Sequence, residues 1–350
     1  MTKISPPALT QFCVSLLTAA GMREPDAATV AAVLVDTSLD GIDTHGISRL
    51  PIYISRLRNG RMNPRPNPAV ERTAPAIAIV DGDNGLGQLV SVLAMETAIA
   101  LAAETGAGFV TVRHSNHFGA ASYYCKMAAK RGMIGAAFTN SPPGIPPWGG
   151  RKPYFGTNPI GFGFPGPEQP VIIDLSTSVT ARGRIIQAAK EGKPIPEGWA
   201  IDADGRPTTD AKAALAGAVL PMAGPKGYAL ALAVEILAGV ASGSAIGSHV
   251  GWMYDDSLEP TNIGHAFLAI DIARLMPLPD FLSRMNEMIS EIRAVPKAES
   301  VDKIYIPGER KHETAVARQN GIPLPPALLA ELNECAADLG IPPLPAQDAI

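Results

Sequence analysis

Residues 43–50 read DTHGISRL, an acid, a hydroxyl, an imidazole, a glycine and a guanidinium within seven positions. Histidine titrates near neutrality and can give or take a proton. Arginine can hold a carboxylate through two parallel hydrogen bonds, which sets orientation as well as position. A helix predicted over about 45–59 and ending at Asn59-Gly60 would place His45 and Arg49 on one face, four residues apart. A proton donor beside a carboxylate clamp suits an enzyme acting on a small acid. The competing readings are a capping or core histidine and a surface salt bridge.

A second polar cluster is RHSNHFGAASYY, residues 113–124. A strand predicted over 109–115 runs into a helix over about 119–131, with His114, Ser115, Asn116 and His117 at the junction and Gly119 permitting close approach. Backbone N–H groups and the dipole at a helix start attract anions, so a phosphate or ribose fits here; the alternative is a loop that only caps the helix. GFGFPG (161–166) has the spacing of a dinucleotide fingerprint, but PEQP follows it where a helix should open. It is therefore not read as a Rossmann site. His265, Asp255, Asp256 and Glu259 lack compact ligand spacing, and no catalytic metal is expected. Cys13, Cys125 and Cys335 are scattered and read as reduced thiols.

The elements that must position these residues follow from periodicity. Helices are predicted over 8–19 and 25–39, then a strand at 76–83, a helix at 89–106, and a strand at 133–140 after the helix near 119–131. Strands alternating with helices argue for an α/β sheet with covered faces. The Pro- and Gly-rich stretch 141–170 reads as a long functional loop, and its Trp148 and Tyr154 could cover a cofactor or make subunit contacts. Residues 226–243 are nearly all apolar, which predicts a helix buried on every side. A late strand (GHAFLAIDI) and helices at 280–295, 311–319 and 326–338 complete the chain. The expected organisation is an N-terminal helical region (1–75) packing with a C-terminal one (280–350), around an α/β sheet domain (76–279).

At 350 residues and a formal charge of -4, the chain has room for two lobes and no overall basic field for nucleic acid. No leader-like or membrane-spanning stretch stands out, so a cytoplasmic protein without membrane attachment is the expectation. A small anionic substrate would have to be held by local positive groups.

DTHGISRLPIYISRLRNGRMNP, RHSNHFGAASYY, FGTNPIGFGFP, IPEGWAIDADGRPTTD, GPKGYALALAVEILAG and IGHAFLAID occur in this order from about residue 5 to 345. Together they resemble the malate/L-lactate dehydrogenase type 2 family of NAD(P)-dependent 2-hydroxyacid oxidoreductases. The resemblance implies a non-Rossmann α/β cofactor domain, a mainly helical second region built from both chain ends, and a homodimer. It implies that His45 is the proton donor and acceptor, with Thr44 beside it, and that Arg49 binds the substrate carboxylate. It further implies that NAD or NADP is contacted by His117, Phe118, Gly119, Ala120 and Ala121, by Leu175, Ser176 and Thr177, and by Asn158 and Lys226. The expected substrate is a small hydroxy acid such as malate, L-lactate or sulfolactate. The alternative is reduction of a cyclic imino acid, piperideine-2-carboxylate or pyrroline-2-carboxylate. Arg184 stands where imine reductases of the family carry an acid, which weighs against that alternative and makes Arg184 a candidate contact for a second anionic group.

Overall fold

Strand β1 (Thr2–Ile4) leads into helices α1 (Pro6–Ala19) and α2 (Glu24–Leu39) in the computed structural model, which describes residues 1–254 and 259–344. Ser5 caps α1 by accepting from the Ala8 amide, while Glu24 and Asp26 place negative charge in the first turn of α2. The predicted third helix starts later than expected. Residues 43–46 form turns, Ile47–Arg49 a 3-10 turn, and only Leu50–Arg58 is α-helix (α3). Pro51 explains the shift, because proline belongs in the first turn of a helix and disfavours helical geometry in the residue before it.

Strands β2 (Ala69–Ala74) and β3 (Ile77–Asp81) precede helix α4 (Gly87–Thr105), strand β4 (Ala107–Ser115), helix α5 (Ala121–Ala129) and strand β5 (Met133–Thr139). Next come β6 (Ile160–Phe164), β7 (Val171–Leu175) and α6 (Arg182–Glu191). A small lobe follows, with β8 (Ala200–Ile201), β9 (Pro207–Thr208), α7 (Ala211–Ala216) and β10 (Ala218–Val219). After it lie α8 (Pro225–Val234), β11 (Ile263–Asp271), α9 (Leu278–Ala294), α10 (Glu309–Arg318), β12 (Ile322–Leu324) and α11 (Pro326–Asp338).

The main sheet has the order β2-β3-β4-β11-β5-β6-β7, and only β3 and β4 are parallel. This is a mixed sheet rather than a doubly wound one, since α4 supplies its single right-sized crossover and the other neighbours pair antiparallel. Late-arriving β11 fills the centre between β4 and β5. The two chain ends join elsewhere: β1 pairs with β12, and Leu332, Ala336 and Leu344 share a core with α1, α2 and α3.

GFGF belongs to β6. A Cβ at Gly161 would lie 2.8 Å from that of Ala121, and one at Gly163 would lie 2.5 Å from the Cys125 carbonyl oxygen. These glycines let α5 rest directly on the sheet, so the apparent fingerprint is a packing device. Helix α4 is long and apolar enough to cross a membrane, yet it lies on the sheet with Val90, Ala94, Ala98 and Ala102 buried.

The predicted all-round burial of 226–243 does not hold. Helix α8 passes into a π-helical turn, Glu235–Val240, and packs Ala231 against Ile145 and Phe155, and Val234 and Ala238 against Ile160. Its outer side leaves Leu230, Ile236 and Val240 exposed at 41%, 47% and 58%. Apolar residues on all sides predict two covered faces; within one chain only one is covered.

Gly87 sets how closely α4 approaches the junction after β4. A Cβ there would lie 2.1 Å from the Asn116 carbonyl oxygen and 2.5 Å from that of His117. Gly87→Ala should destabilise the fold by about 1–3 kcal/mol through overpacking, read as a lower denaturant midpoint at an unchanged slope.

Candidate active site

His45 and Arg49 do meet, although no α-helix carries them. His45 sits in the turn after α2, and Arg49 is the last residue before α3. The turn is stitched internally: the Ile47 amide donates to Ser38 Oγ at 3.0 Å, Ser48 Oγ donates to the Asp43 carbonyl, and Arg49 Nε donates to the Thr44 carbonyl. Gly46 presses on α2 so closely that a Cβ would lie 2.1 Å from Ser38 Oγ.

Thr44 Oγ1 lies 2.9 Å from His45 Nδ1. When Nδ1–H donates to this hydroxyl, Nε2 is left bare and able to accept a proton. Burial pulls the His45 pKa down to about 4, with the Arg49 charge acting in the same direction, Asp174 opposing and Lys311 adding. The ring is therefore neutral at pH 7. Burial likewise lowers the Arg49 pKa, and the Tyr254 ring lies 5.8 Å from its guanidinium carbon.

His117 brings the second cluster to the first. Its ring centroid is 5.5 Å from that of His45. Tyr53 Oη is 2.6 Å from His117 Nδ1 and accepts from Gln88 Nε2 at 2.9 Å. When the Tyr53 hydroxyl donates to Nδ1, the His117 proton sits on Nε2. Burial, then the neighbouring His45 and Arg49, holds the His117 pKa well below its ordinary value. Gly119, at φ +83, lies beside both partners: a Cβ there would be 3.5 Å from Gln88 Nε2 and 3.6 Å from the His45 carbonyl oxygen. Phe118 is buried and stacks on His265 at 4.8 Å. Ala120 and Ala121 are buried at the start of α5.

His265 is structural. Its nitrogens lie 2.7 Å from Thr139 Oγ1 and 2.9 Å from Ser115 Oγ, spanning β5, β11 and β4. Among the described residues no group of three potential metal ligands exists, while Asp255 and Asp256 lie outside them. Asn116 also serves the scaffold, donating to Asn84 and Gly85 and accepting from Thr261 at 2.7 Å.

The remaining predicted contacts cluster at the far end of β6 and β7. Thr177 binds the Thr157 carbonyl through both its amide and its hydroxyl, and its own carbonyl accepts from the Met222 amide. This joins Leu175, Ser176 and Thr177 to the segment holding Asn158 and to the turn before α8. Lys226 is exposed in the first turn of α8. Asn158 is buried, donates to Ala231 and Glu235, and leaves its Oδ1 without a partner. Arg184 is exposed in the first turn of α6, and among the described residues no hydrogen bond or ion pair joins it to the His45 turn. Tyr53, Gln88, Asp174 and Lys311 were not singled out from sequence. Tyr53 alone left a trace there, being four residues beyond Arg49.

Asp174, at the end of β7, accepts from the Ser122 amide at 3.3 Å and pairs with Lys311 of α10 at 3.2 Å. The α5 N-terminus thus already holds a carboxylate. The orphaned acceptors Asn158 Oδ1 and Gln88 Oε1, the open glycine at 119 and the convergent strand ends fit an amide-bearing dinucleotide along this edge.

Residues 4–333 match the malate/L-lactate dehydrogenase family. The chain belongs to that family. It is 39% identical to the L-sulfolactate dehydrogenase of Methanocaldococcus jannaschii over 95% of both chains, and superposes on the structure of sulfolactate dehydrogenase from that organism with a TM-score of 0.92, covering 97% and 98%. It is 40% identical to the malate dehydrogenase of Pyrococcus horikoshii over 95% of this chain and 94% of that one. Against the (2R)-3-sulfolactate dehydrogenase (NADP(+)) of Chromohalobacter salexigens it is 37% identical over 93% and 95%. The protein is an NAD(P)-dependent oxidoreductase of small hydroxy and keto acids, on the non-Rossmann fold expected from its sequence.

His45, His117 and His265 all have lowered pKa values and make stability acid-sensitive. Their folded pKa values, about 4 for His45 and about 3 for His265, lie below the ordinary value of about 6.5, so the unfolded chain binds more protons on acidification. Their contribution is complete above about pH 6.5 and is lost as pH falls toward these lower values. Equilibrium unfolding at pH 7, 5.5 and 4.5 should show that decline, with a shallower slope in His265→Gln.

Proposed function

We propose that this enzyme interconverts a small 2-hydroxy acid and its 2-keto acid, with His45 as proton acceptor and donor and Arg49 as clamp for the C2 carboxylate. The observation that carries this reading is a neutral, half-buried imidazole beside a partly buried guanidinium, next to a glycine-opened strand end. In oxidation the hydroxyl proton passes to bare His45 Nε2 as hydride leaves the carbinol carbon. Thr44 holds the tautomer through Nδ1. Bound NAD(P) supplies the hydride acceptor, and the residues that would hold it are His117–Ala121, Leu175–Thr177, Asn158 and Lys226. His117, held by Tyr53 through Nδ1, turns Nε2 toward the site as a donor in the tautomer that leaves its proton there, while Phe118 and the buried alanines keep water away from that side.

The substrate class favoured is a hydroxy acid with a second anionic group, of the malate or sulfolactate kind. The names of the three relatives above support this, as does the cation at position 184 where an acid would suit an imine. Arg184, at the exposed start of α6, is the candidate contact for that group, although no side chain of the His45 cluster reaches it here.

We also propose a homodimer. Leu230, Ile236 and Val240 form an exposed apolar strip on one face of a helix that is otherwise core, and a second copy would cover it.

Absorbance at 340 nm with NADH or NADPH and a panel of keto acids tests the reaction. Activity should appear with oxaloacetate or sulfopyruvate and fall about 100- to 10,000-fold in His45→Ala, while Arg49→Lys should raise the substrate KM more than the cofactor KM. Because oxidation needs neutral His45, kcat/KM for the hydroxy acid should hold level from pH 7 downward and drop only near the His45 pKa of about 4. Activity confined to a cyclic imine would overturn the hydroxy-acid reading. For the dimer, light scattering should give twice the chain mass for the native protein and a lower mass for the double variant Ile236→Lys/Val240→Glu.

A further inference from the structure

The turn bearing His45 is not held by a helix of its own, so something else must keep it still. Its internal hydrogen bonds link Asp43 to Ser48, Thr44 to Arg49 and Ile47 to Ser38. None of these ties the turn to the sheet edge where the cofactor contacts converge. Helix α10, from the far end of the chain, does.

One face of α10 carries Lys311, Thr314 and Arg318, at the three- and four-residue spacing that aligns side chains along a helix. Lys311 pairs with Asp174 at the end of β7. Thr314 packs on Gly41, whose φ of +78 suits the turn leaving α2, and a Cβ there would lie 2.9 Å from Thr314 Cγ2. Arg318 forks onto the His45 turn: Nη1 donates to Asp43 Oδ1 at 2.6 Å and to the Ser38 carbonyl at 2.6 Å, and Nη2 donates to Asp43 Oδ2 at 3.0 Å. Ser38 is the residue whose hydroxyl accepts from Ile47, so the guanidinium ties the last turn of α2 to the middle of the segment that leads to the 3-10 turn. Two parallel bonds to one carboxylate plus a third to a carbonyl fix an orientation that lysine cannot reproduce. The Arg318 side chain is itself largely sheltered, at 17% exposure.

We propose that Arg318, through Asp43, is a positioning residue for His45, and that α10 is the strut that holds the proton-transfer turn in register with the sheet edge built by β7. This rests on the reading of His45 as proton acceptor and donor. Neither Arg318 nor Asp43 touches the reacting atoms. Their effect is on where His45 stands, and a shift of about 1 Å in a reacting group can cost about 100-fold in rate.

The test uses the full-length protein with Arg318→Ala, Arg318→Lys, Asp43→Asn and the exchange Asp43→Arg/Arg318→Asp. Arg318→Ala should lower kcat about 10- to 100-fold while the KM for NAD(P)H changes less than about twofold. Arg318→Lys and Asp43→Asn should lose less, and the exchange should recover part of the loss by restoring opposite charges. NMR titration of the His45 ring supplies a readout independent of turnover. The titratable and charged groups facing that ring are Arg49, Asp174, Lys311 and His117. In Arg318→Ala its midpoint should rise from about 4 toward the ordinary value as the turn loosens and water reaches the ring.

If Arg318→Ala does not fold, the lysine and asparagine variants carry the same test in smaller steps. Unchanged kcat together with an unchanged His45 midpoint, in an enzyme that His45→Ala inactivates, would overturn the inference and leave the proposed reaction standing. A wild-type protein inert toward every keto acid would instead sink the proposed reaction, and the shift in the His45 midpoint would then decide the positioning role alone.

Discussion

The helical layer and the sheet meet at a hydrogen-bonded line, Gln88 to Tyr53 to His117, and the site depends on it. Tyr53 is fully buried on α3, Gln88 opens α4, and His117 lies on the strand end before α5. A buried phenol is costly unless both its donor and its acceptor are used. That cost selects one relative placement of three segments distant in the sequence. Gly87 makes the placement sterically possible, because its missing Cβ lets α4 lie against the Asn116 and His117 carbonyls. The imidazole of His117 is consequently held in one orientation, and its ring stands 5.5 Å from that of His45.

Burial then does the chemical work that a strong base would otherwise have to do. Desolvation keeps His45 neutral at the pH where oxidation must begin, and the same desolvation lowers the pKa of Arg49 without discharging it. Two basic side chains share a small volume because one of them gives up its proton. A substrate carboxylate on Arg49 would offset part of the positive field at His45, raising its proton affinity when the alkoxide proton has to be taken. Charge on the substrate therefore completes the site's electrostatics.

Legibility in the sequence followed physical range. Local patterns were reliable: α4, α5, β4, β5 and α11 lie within about two residues of their expected spans, since periodicity and glycine or proline boundaries are local matters. The start of α3 was misplaced because Pro51 was passed over in favour of His45–Arg49 spacing. Short pairings such as β1 with β12, and the three-stranded lobe around Ala200–Val219, went unseen because two or three residues carry no period. Insertion of β11 between β4 and β5 is equally invisible, being a contact between segments more than a hundred residues apart. For the site, residue type revealed His45, Arg49 and His117. It did not reveal Gln88, Asp174, Lys311 or Arg318, which are ordinary surface residue types until the fold gives them partners.

The false fingerprint and the over-buried helix have one cause. GFGFPG, rightly not read as a Rossmann site, and the apolar stretch 226–243, wrongly read as buried on every side, each reflect how closely another element approaches. In β6 the approach is by α5, and the two glycines remove the atoms that would block it. On α8 the inner face meets the sheet, while the outer face keeps Leu230, Ile236 and Val240 in water. Exposing a continuous apolar strip carries a free-energy cost of about 25 cal/mol for each Å². The strip starts at Leu230, one turn after Lys226, and runs away from the turn that joins Thr177 and Met222 to α8, so a single helix carries apolar surface of both kinds, one packed and one in water.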